Sequence, residues 1–129
     1  MRFLVFIILV SITLSASYIR WYGDYEDAHR ESLKQNKQLL VLLIEKNSIK
    51  AKKLIKNSFM NQSYIDEINE KFISVLVTKS QKSSYPIELL YTIEYPAVFF
   101  LNKYELFLCD PINGDITPKQ LRKHLENCL

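Results

Sequence analysis

The feature that most constrains the fold is an unbroken run of six apolar residues, Leu39 to Ile44. A strand that is apolar on both faces is typical of a parallel or mixed sheet with helices on both sides. A polar turn, Glu45 to Ser48, follows the run, and the segment Ile49 to Phe59 then has apolar residues at helical spacing. The turn between a buried strand and a helix is where α/β proteins usually place their chemistry. Here the turn contains no residue of obvious reactivity.

Three further segments have the character of strands. Phe72 to Val77 and Ala97 to Leu101 are mostly apolar, and Leu106 to Cys109 follows the latter after a four-residue connection. Because helices separate the first two strands, those strands should be parallel, whereas the last two should form an antiparallel hairpin. We expect helices near residues 24–35, 49–59, 64–71, 87–91 and 118–127. The sequence therefore predicts an α/β fold with a mixed four-stranded sheet flanked by helices on both faces.

Two helix starts are marked by capping residues. Asp24 is suited to cap the first helix, and Thr117, followed by Pro118 and Gln120, has the form of a capping box with proline at the first helical position.

The size and composition of the chain exclude several classes of function. Its 129 residues are enough for one domain with a single core and too few for two of ordinary size. Only two glycines occur, which argues against a glycine-rich phosphate loop, and a formal net charge of +3 is too small to indicate nucleic-acid binding by itself. No side chains have the spacing of metal ligands. We therefore expect no metal, no cofactor and no nucleic-acid partner.

The first 17 residues differ from the rest of the chain. A single arginine precedes an apolar run from Phe3 to Leu14, and the small residues Ser15 to Ser17 come next. This pattern predicts a secretory signal peptide that is cleaved near Ser17, because the run is shorter than the roughly 20 residues that span a bilayer. We expect residues 18–129 to form a periplasmic or secreted domain that meets a membrane only transiently, through the signal peptide.

The element order and several short motifs resemble the thioredoxin-like superfamily, and in particular its exported members. The residues that resemble the family are Trp21, Ala28, Lys34, Asn36-Lys37, Phe59 to Asn61, Ile65, Ile68-Asn69, Phe72-Ile73 and Tyr95 to Leu101. The resemblance implies a thioredoxin fold with a cis peptide bond before Pro96. It also implies that the backbone of Tyr95 and Pro96 pairs with an extended substrate segment, a form of strand addition.

The chain departs from this family at the reactive motif. The resemblance places the two cysteines of a Cys-x-x-Cys motif at Ser48 and Ala51, so both redox cysteines are absent. A serine hydroxyl stays protonated near neutral pH and needs an adjacent base to become a nucleophile. No motif places His29 or His124 near it. We interpret Ser48 as a helix N-cap, Ala51 as a packing residue and both histidines as solvent-facing helix residues.

The two cysteines of the chain, Cys109 and Cys128, could form one bridge in an oxidising compartment. Cys109 ends the predicted last strand, close to where we expect the last helix to begin at Pro118. That helix carries Cys128 about 15 Å away from its start. A disulfide needs Cα atoms within roughly 7 Å. An intramolecular bridge is therefore disfavoured unless the helix is shifted or frayed. Cys109 and Cys128 are therefore candidate free thiols: Cys109 as a small core residue, and Cys128 as the more exposed thiol, which could also form a mixed disulfide with a partner.

The lysines of the second helix and its entry are a candidate docking face. Lys46, Lys50 and Lys53 could bind an acidic partner, although a solvated helix face is the simpler interpretation.

Three functions remain open from the sequence. The chain could be a non-catalytic or chaperone-like module that binds a protein or extended peptide around Ser48, Tyr95 and Pro96. It could instead be a thiol-disulfide oxidoreductase of atypical design that uses Cys128 or Cys109, or an accessory subunit that docks through the lysines. The loss of the family's dithiol favours binding over catalysis.

Overall fold

The computed structural model describes residues 18–60, 62–79 and 85–128, so the predicted signal peptide at residues 1–17 lies outside the described residues. The elements are, in chain order, β1 (Trp21–Tyr22), α1 (Tyr25–Gln35), β2 (Gln38–Ile44), α2 (Ile49–Leu54), a π-helical turn (Ile55–Phe59), α3 (Gln62–Lys71), β3 (Phe72–Thr78), β4 (Ala97–Leu101), β5 (Ile112–Asn113) and α4 (Pro118–Asn127). Within these described ranges, no helix has the length and apolar character needed to cross a bilayer.

The sheet is mixed, as predicted, but within the described residues it has five strands in the order β1-β3-β2-β4-β5. The prediction of four strands is therefore wrong. The parallel pairing of β2 with β3 is confirmed and places Leu40 opposite Ser74, while β4 runs antiparallel to β2. The additional strand β1 pairs in parallel with β3 and contains only Trp21 and Tyr22. Two residues are too few to produce a recognisable alternation of apolar and polar side chains.

Both faces of β2 are buried, which is the reason for its unbroken apolar sequence. Leu40 and Leu42 face a core that is closed by α2, α3 and α4. Leu39, Val41 and Leu43 face a second core that is closed by α1. The central strand is therefore covered by helices on both sides, and its C-terminal end leads directly into the turn before α2.

The predicted helix caps are confirmed. The Asp24 carboxylate accepts a hydrogen bond from the Asp27 N–H at 3.0 Å, and the Thr117 hydroxyl accepts one from the Gln120 N–H at 3.1 Å. Pro118 occupies the first turn of α4. The predicted helix at residues 87–91 is wrong, since this segment forms a single turn in which the Leu90 N–H donates to the Pro86 carbonyl at 2.9 Å.

The strand predicted at Leu106 to Cys109 is only partly present. Leu101 pairs with Phe107 in an isolated bridge, and regular pairing resumes where Val98 faces Ile112 in β5. These two pairs are three residues apart on β4 and five residues apart on the returning segment, so the returning segment bulges between them. Pro111 lies within the bulge and has no N–H to give to the sheet.

Candidate functional site

The turn between β2 and α2 forms one wall of the candidate site. The Ile44 carbonyl accepts a hydrogen bond from the Lys79 N–H at 2.7 Å, which ties the end of β2 to the end of β3. Asn47 adopts a left-handed backbone with φ of 62°, a conformation that asparagine tolerates better than most residues. Ser48 then caps α2, as predicted, because its hydroxyl accepts a hydrogen bond from the Ala51 N–H at 3.1 Å. Ala51 is buried against the core.

Neither histidine lies beside the Ser48 hydroxyl. His29 hydrogen-bonds through Nε2 to the Lys103 carbonyl at 2.8 Å, in the turn that follows β4. His124 stacks on Phe100, with ring centroids 6.0 Å apart. Both side chains are partly buried, so the prediction that they face solvent is wrong. The described residues give Ser48 no imidazole that could act as a general base.

The second wall of the site is the segment before β4. The peptide bond between Tyr95 and Pro96 is cis, as expected from the family resemblance. Leu43 pairs with Ala97, so Tyr95 and Pro96 lie beside the end of β2. The Pro96 carbonyl accepts a hydrogen bond from the Gly114 N–H at 2.9 Å. The N–H and carbonyl of Tyr95 have no hydrogen-bond partner among residues 18–60, 62–79 and 85–128.

The Tyr95 side chain is partly buried, and the Lys79 ammonium lies 5.1 Å from the centroid of its ring. This cation–π contact joins the segment before β4 to the end of β3. The segment that contains Tyr95 therefore makes two contacts with the rest of the fold. The Tyr95 ring contacts Lys79, and the Pro96 carbonyl accepts a hydrogen bond from Gly114.

Large apolar side chains are exposed on the segments around this main chain. Ile49, in the first turn of α2, is 70% exposed, and Tyr91 and Ile93 are 71% and 82% exposed. These side chains lie on the two segments that form the walls of the site, and they are candidate contacts for a ligand. These three residues were not predicted from the sequence, although an apolar Ile49 next to Ser48, at the start of a lysine-rich helix, indicates an exposed apolar group.

A cleft of about 330 Å³ lies next to this surface. One wall is the face of α2 and the π-helical turn that carries Lys50, Lys53, Leu54 and Asn57, and the other is the loop at residues 114–118. The Lys50 ammonium and the Asp115 carboxylate lie 3.5 Å apart. Of the three lysines predicted as a docking face, Lys50 and Lys53 line the cleft, whereas Lys46 is exposed in the turn before α2.

Cys109 and Cys128 form a disulfide, with Cα atoms 5.5 Å apart. The prediction of two free thiols is therefore wrong. The reason is the direction of the chain. From Cys109 the chain continues to Asn113, at the end of β5. It then turns, and α4 runs back in the opposite direction. Its C-terminal end, at Asn127, thus returns to Cys109. Cys128 is 6% exposed.

Metal ligation has no basis in the described residues, where no three His, Cys, Asp or Glu side chains are grouped as a metal site requires.

No family model and no curated protein sequence matches this chain. The fold is similar to that of a solved structure described as "DsbH Oxidoreductase", with a TM-score of 0.70. The two sequences are 12% identical, and the match covers 90% of this chain and 88% of the other. At this identity the similarity concerns the fold and not the activity. The chain therefore has a thioredoxin-like fold in which serine and alanine stand at the first turn of α2.

Proposed function

We propose that this chain is an exported, non-catalytic module of the thioredoxin fold that binds an extended segment of another protein beside Tyr95. The observation that carries the proposal is that the main-chain N–H and carbonyl of Tyr95 have no hydrogen-bond partner in the part of the chain that the structure describes. An extended segment can accept a hydrogen bond from its N–H and donate one to its carbonyl, as in strand addition. Because this pairing uses only backbone atoms, it does not depend on the missing cysteines.

The exposed apolar residues support a partner with apolar side chains. Successive side chains of an extended segment point to opposite sides, so one such segment can contact Ile49 on α2 and Ile93 on the opposing loop. Covering one fully exposed isoleucine contributes about 1.5–3 kcal/mol. Unfolded or partly folded exported proteins expose segments of this kind.

The state of the reactive positions supports binding in preference to dithiol chemistry. The Ser48 hydroxyl is engaged as a helix cap, and Ala51 has no functional group. The disulfide between Cys109 and Cys128 supports residence in an oxidising compartment, in line with the predicted signal peptide.

Binding can be tested with an unfolded, carboxymethylated protein and with a labelled ten-residue apolar peptide as probes. We expect the amide resonances of Tyr95, Ile93 and Ile49 to shift on addition of the peptide. An Ile93→Asp variant should weaken peptide binding by about ten-fold, because it places a charge in the apolar contact.

The matched control is Leu106→Asp. Leu106 is also an exposed apolar residue, but it follows the turn at the other end of β4, and its substitution should leave peptide affinity unchanged. Equal loss of affinity in both variants, or shifts that map away from Tyr95, would contradict the proposal.

A further inference from the structure

The cleft between α2 and the loop at residues 114–118 has charges of opposite sign on its two walls. The helix wall carries the ammonium groups of Lys50 and Lys53. The loop wall carries the carboxylate of Asp115. The Glu94 carboxylate packs against Gly114 but does not line the cleft. The cleft is therefore polarised, with its cationic side on α2.

The two lysines of the helix wall differ in their surroundings. Lys50 is compensated by Asp115 at 3.5 Å. Lys53 makes no ion pair or hydrogen bond with any residue that the structure describes. A further positive partial charge comes from the N-terminus of the ten-residue helix α4, which begins at Pro118 beside the cleft. Lys53 is thus a cation of the cleft that is available to an incoming anion.

The floor of the cleft is apolar. Leu54 is buried, Ile116 is half-buried, and Pro118 completes the surface. A ligand that combines a hydrocarbon stem with a terminal negative charge fits such a floor beside Lys53, because its methylene groups cover Ile116 and Pro118 while its charge meets the ammonium.

The cleft is continuous with the proposed peptide site. Gly114 lines the cleft and donates its N–H to the Pro96 carbonyl, next to Tyr95. We propose that the cleft binds an acidic side chain, best a glutamate, of the same extended segment that pairs with Tyr95, with Lys53 as its counter-ion. This inference rests on the proposed function and adds to it the class of partner: an extended apolar segment that contains an acidic residue.

The test compares two labelled peptides of the same apolar sequence, one with glutamate and one with glutamine at a single position, which is moved along the peptide. Wild-type protein should bind the glutamate form about five-fold more tightly at its best position at low salt, and the difference should fall as salt is added. In a Lys53→Glu variant the preference should disappear or reverse. Lys56→Glu, on the π-helical turn but outside the cleft, is the matched control and should keep the preference.

The outcomes separate this inference from the proposed function. Equal affinity for both peptides at every position overturns the acidic preference and leaves peptide binding intact. A preference that survives in Lys53→Glu, or is lost equally in Lys56→Glu, overturns the assignment to the cleft. Failure of both peptides to bind overturns the proposed function and the inference together.

Discussion

The hydroxyl of Ser48 accepts a hydrogen bond from the main-chain N–H of Ala51 at 3.1 Å. These two residues occupy the positions where the family resemblance places a pair of cysteines. A cysteine at the N-terminus of a helix has its thiolate stabilised by the helix dipole. Here the uncharged Ser48 hydroxyl accepts a hydrogen bond from an N–H in the first turn of α2. The position therefore stabilises the helix but has no reactive thiol.

Removal of this cap should destabilise the protein. We expect Ser48→Ala to lower the free energy of unfolding by about 1 kcal/mol, because an N–H of the first turn loses its acceptor. Urea unfolding measures the change. Ser48→Asp, which restores an acceptor and adds a favourable negative charge at the helix N-terminus, should recover the stability. Equal loss in both variants would show that the cap is not the cause.

Restoring the family's cysteines should create a redox site. Positions 48 and 51 are three residues apart in the first turn of a helix, a spacing that brings Cα atoms within the range of a disulfide. We expect Ser48→Cys/Ala51→Cys to reduce insulin in the presence of dithiothreitol, since the helix N-terminus stabilises a thiolate there.

The unmodified protein should show no such turnover, and it serves as the control. Turnover by the unmodified protein that disappears in a Cys109→Ser/Cys128→Ser variant would instead support the alternative function as an atypical oxidoreductase.

Loss of the disulfide should lower stability without removing the fold. Cys109 and Cys128 are 19 residues apart in sequence, and a loop of this length gives a stabilisation of about 3 kcal/mol in the chain-entropy treatment. We expect Cys109→Ser/Cys128→Ser to lower the urea midpoint accordingly. Dithiothreitol should have the same effect on the wild type and none on the variant. An unchanged midpoint in the variant would contradict this account.

Tyr25 should make stability depend on alkaline pH. Burial, together with the hydrogen bond that its hydroxyl donates to Glu105 at 2.8 Å, raises the pKa of Tyr25 above its usual value. As pH rises past about 10, an unfolded tyrosine loses its proton while folded Tyr25 keeps its own, so the free energy of unfolding should fall.

Tyr25→Phe should reduce the fall in the free energy of unfolding at alkaline pH. At neutral pH it should cost about 1.5–3 kcal/mol, the range for a hydrogen bond to a charged group. Some decline should remain, because burial also raises the pKa of Tyr64. Tyr91→Phe, at an exposed site, is the control. Unfolding measured at neutral and alkaline pH tests the prediction, and identical slopes in all three proteins would refute it.

Two of the buried strands were predictable because each is a continuous run of apolar residues. Leu39 to Ile44 and Ala97 to Leu101 are apolar at every position, as strands covered on both faces must be. The cis peptide bond before Pro96 followed from the family resemblance, and neither composition nor periodicity indicated it.

The cysteine pairing could not be predicted, because it depends on where the chain turns. We expected α4 to start close to Cys109, but β5 and its loop carry that start to the other end of the sheet. The length of α4 therefore brings Cys128 back to Cys109 and does not separate the two cysteines. The bulge that includes Pro111 was also absent from the prediction, since a single proline does not indicate how many residues leave the ladder.

The location of the candidate site in the fold was predictable, but several of its side-chain contacts were not. Ser48 and Tyr95 were identified as site residues through the family resemblance. Lys79 and Asp115 were missed, because their roles arise from contacts between segments that are far apart in sequence.

The lengths of the two outer strands bear on how the protein behaves when it is concentrated. β1 and β5 each contain two residues, and the segment that leads into β5 is interrupted by Pro111. A neighbouring molecule can form few main-chain hydrogen bonds with strands this short, so the growth of fibrils by edge-to-edge pairing is suppressed. Under the proposed function, such edges would let the protein bind one unfolded chain without nucleating the aggregation of many.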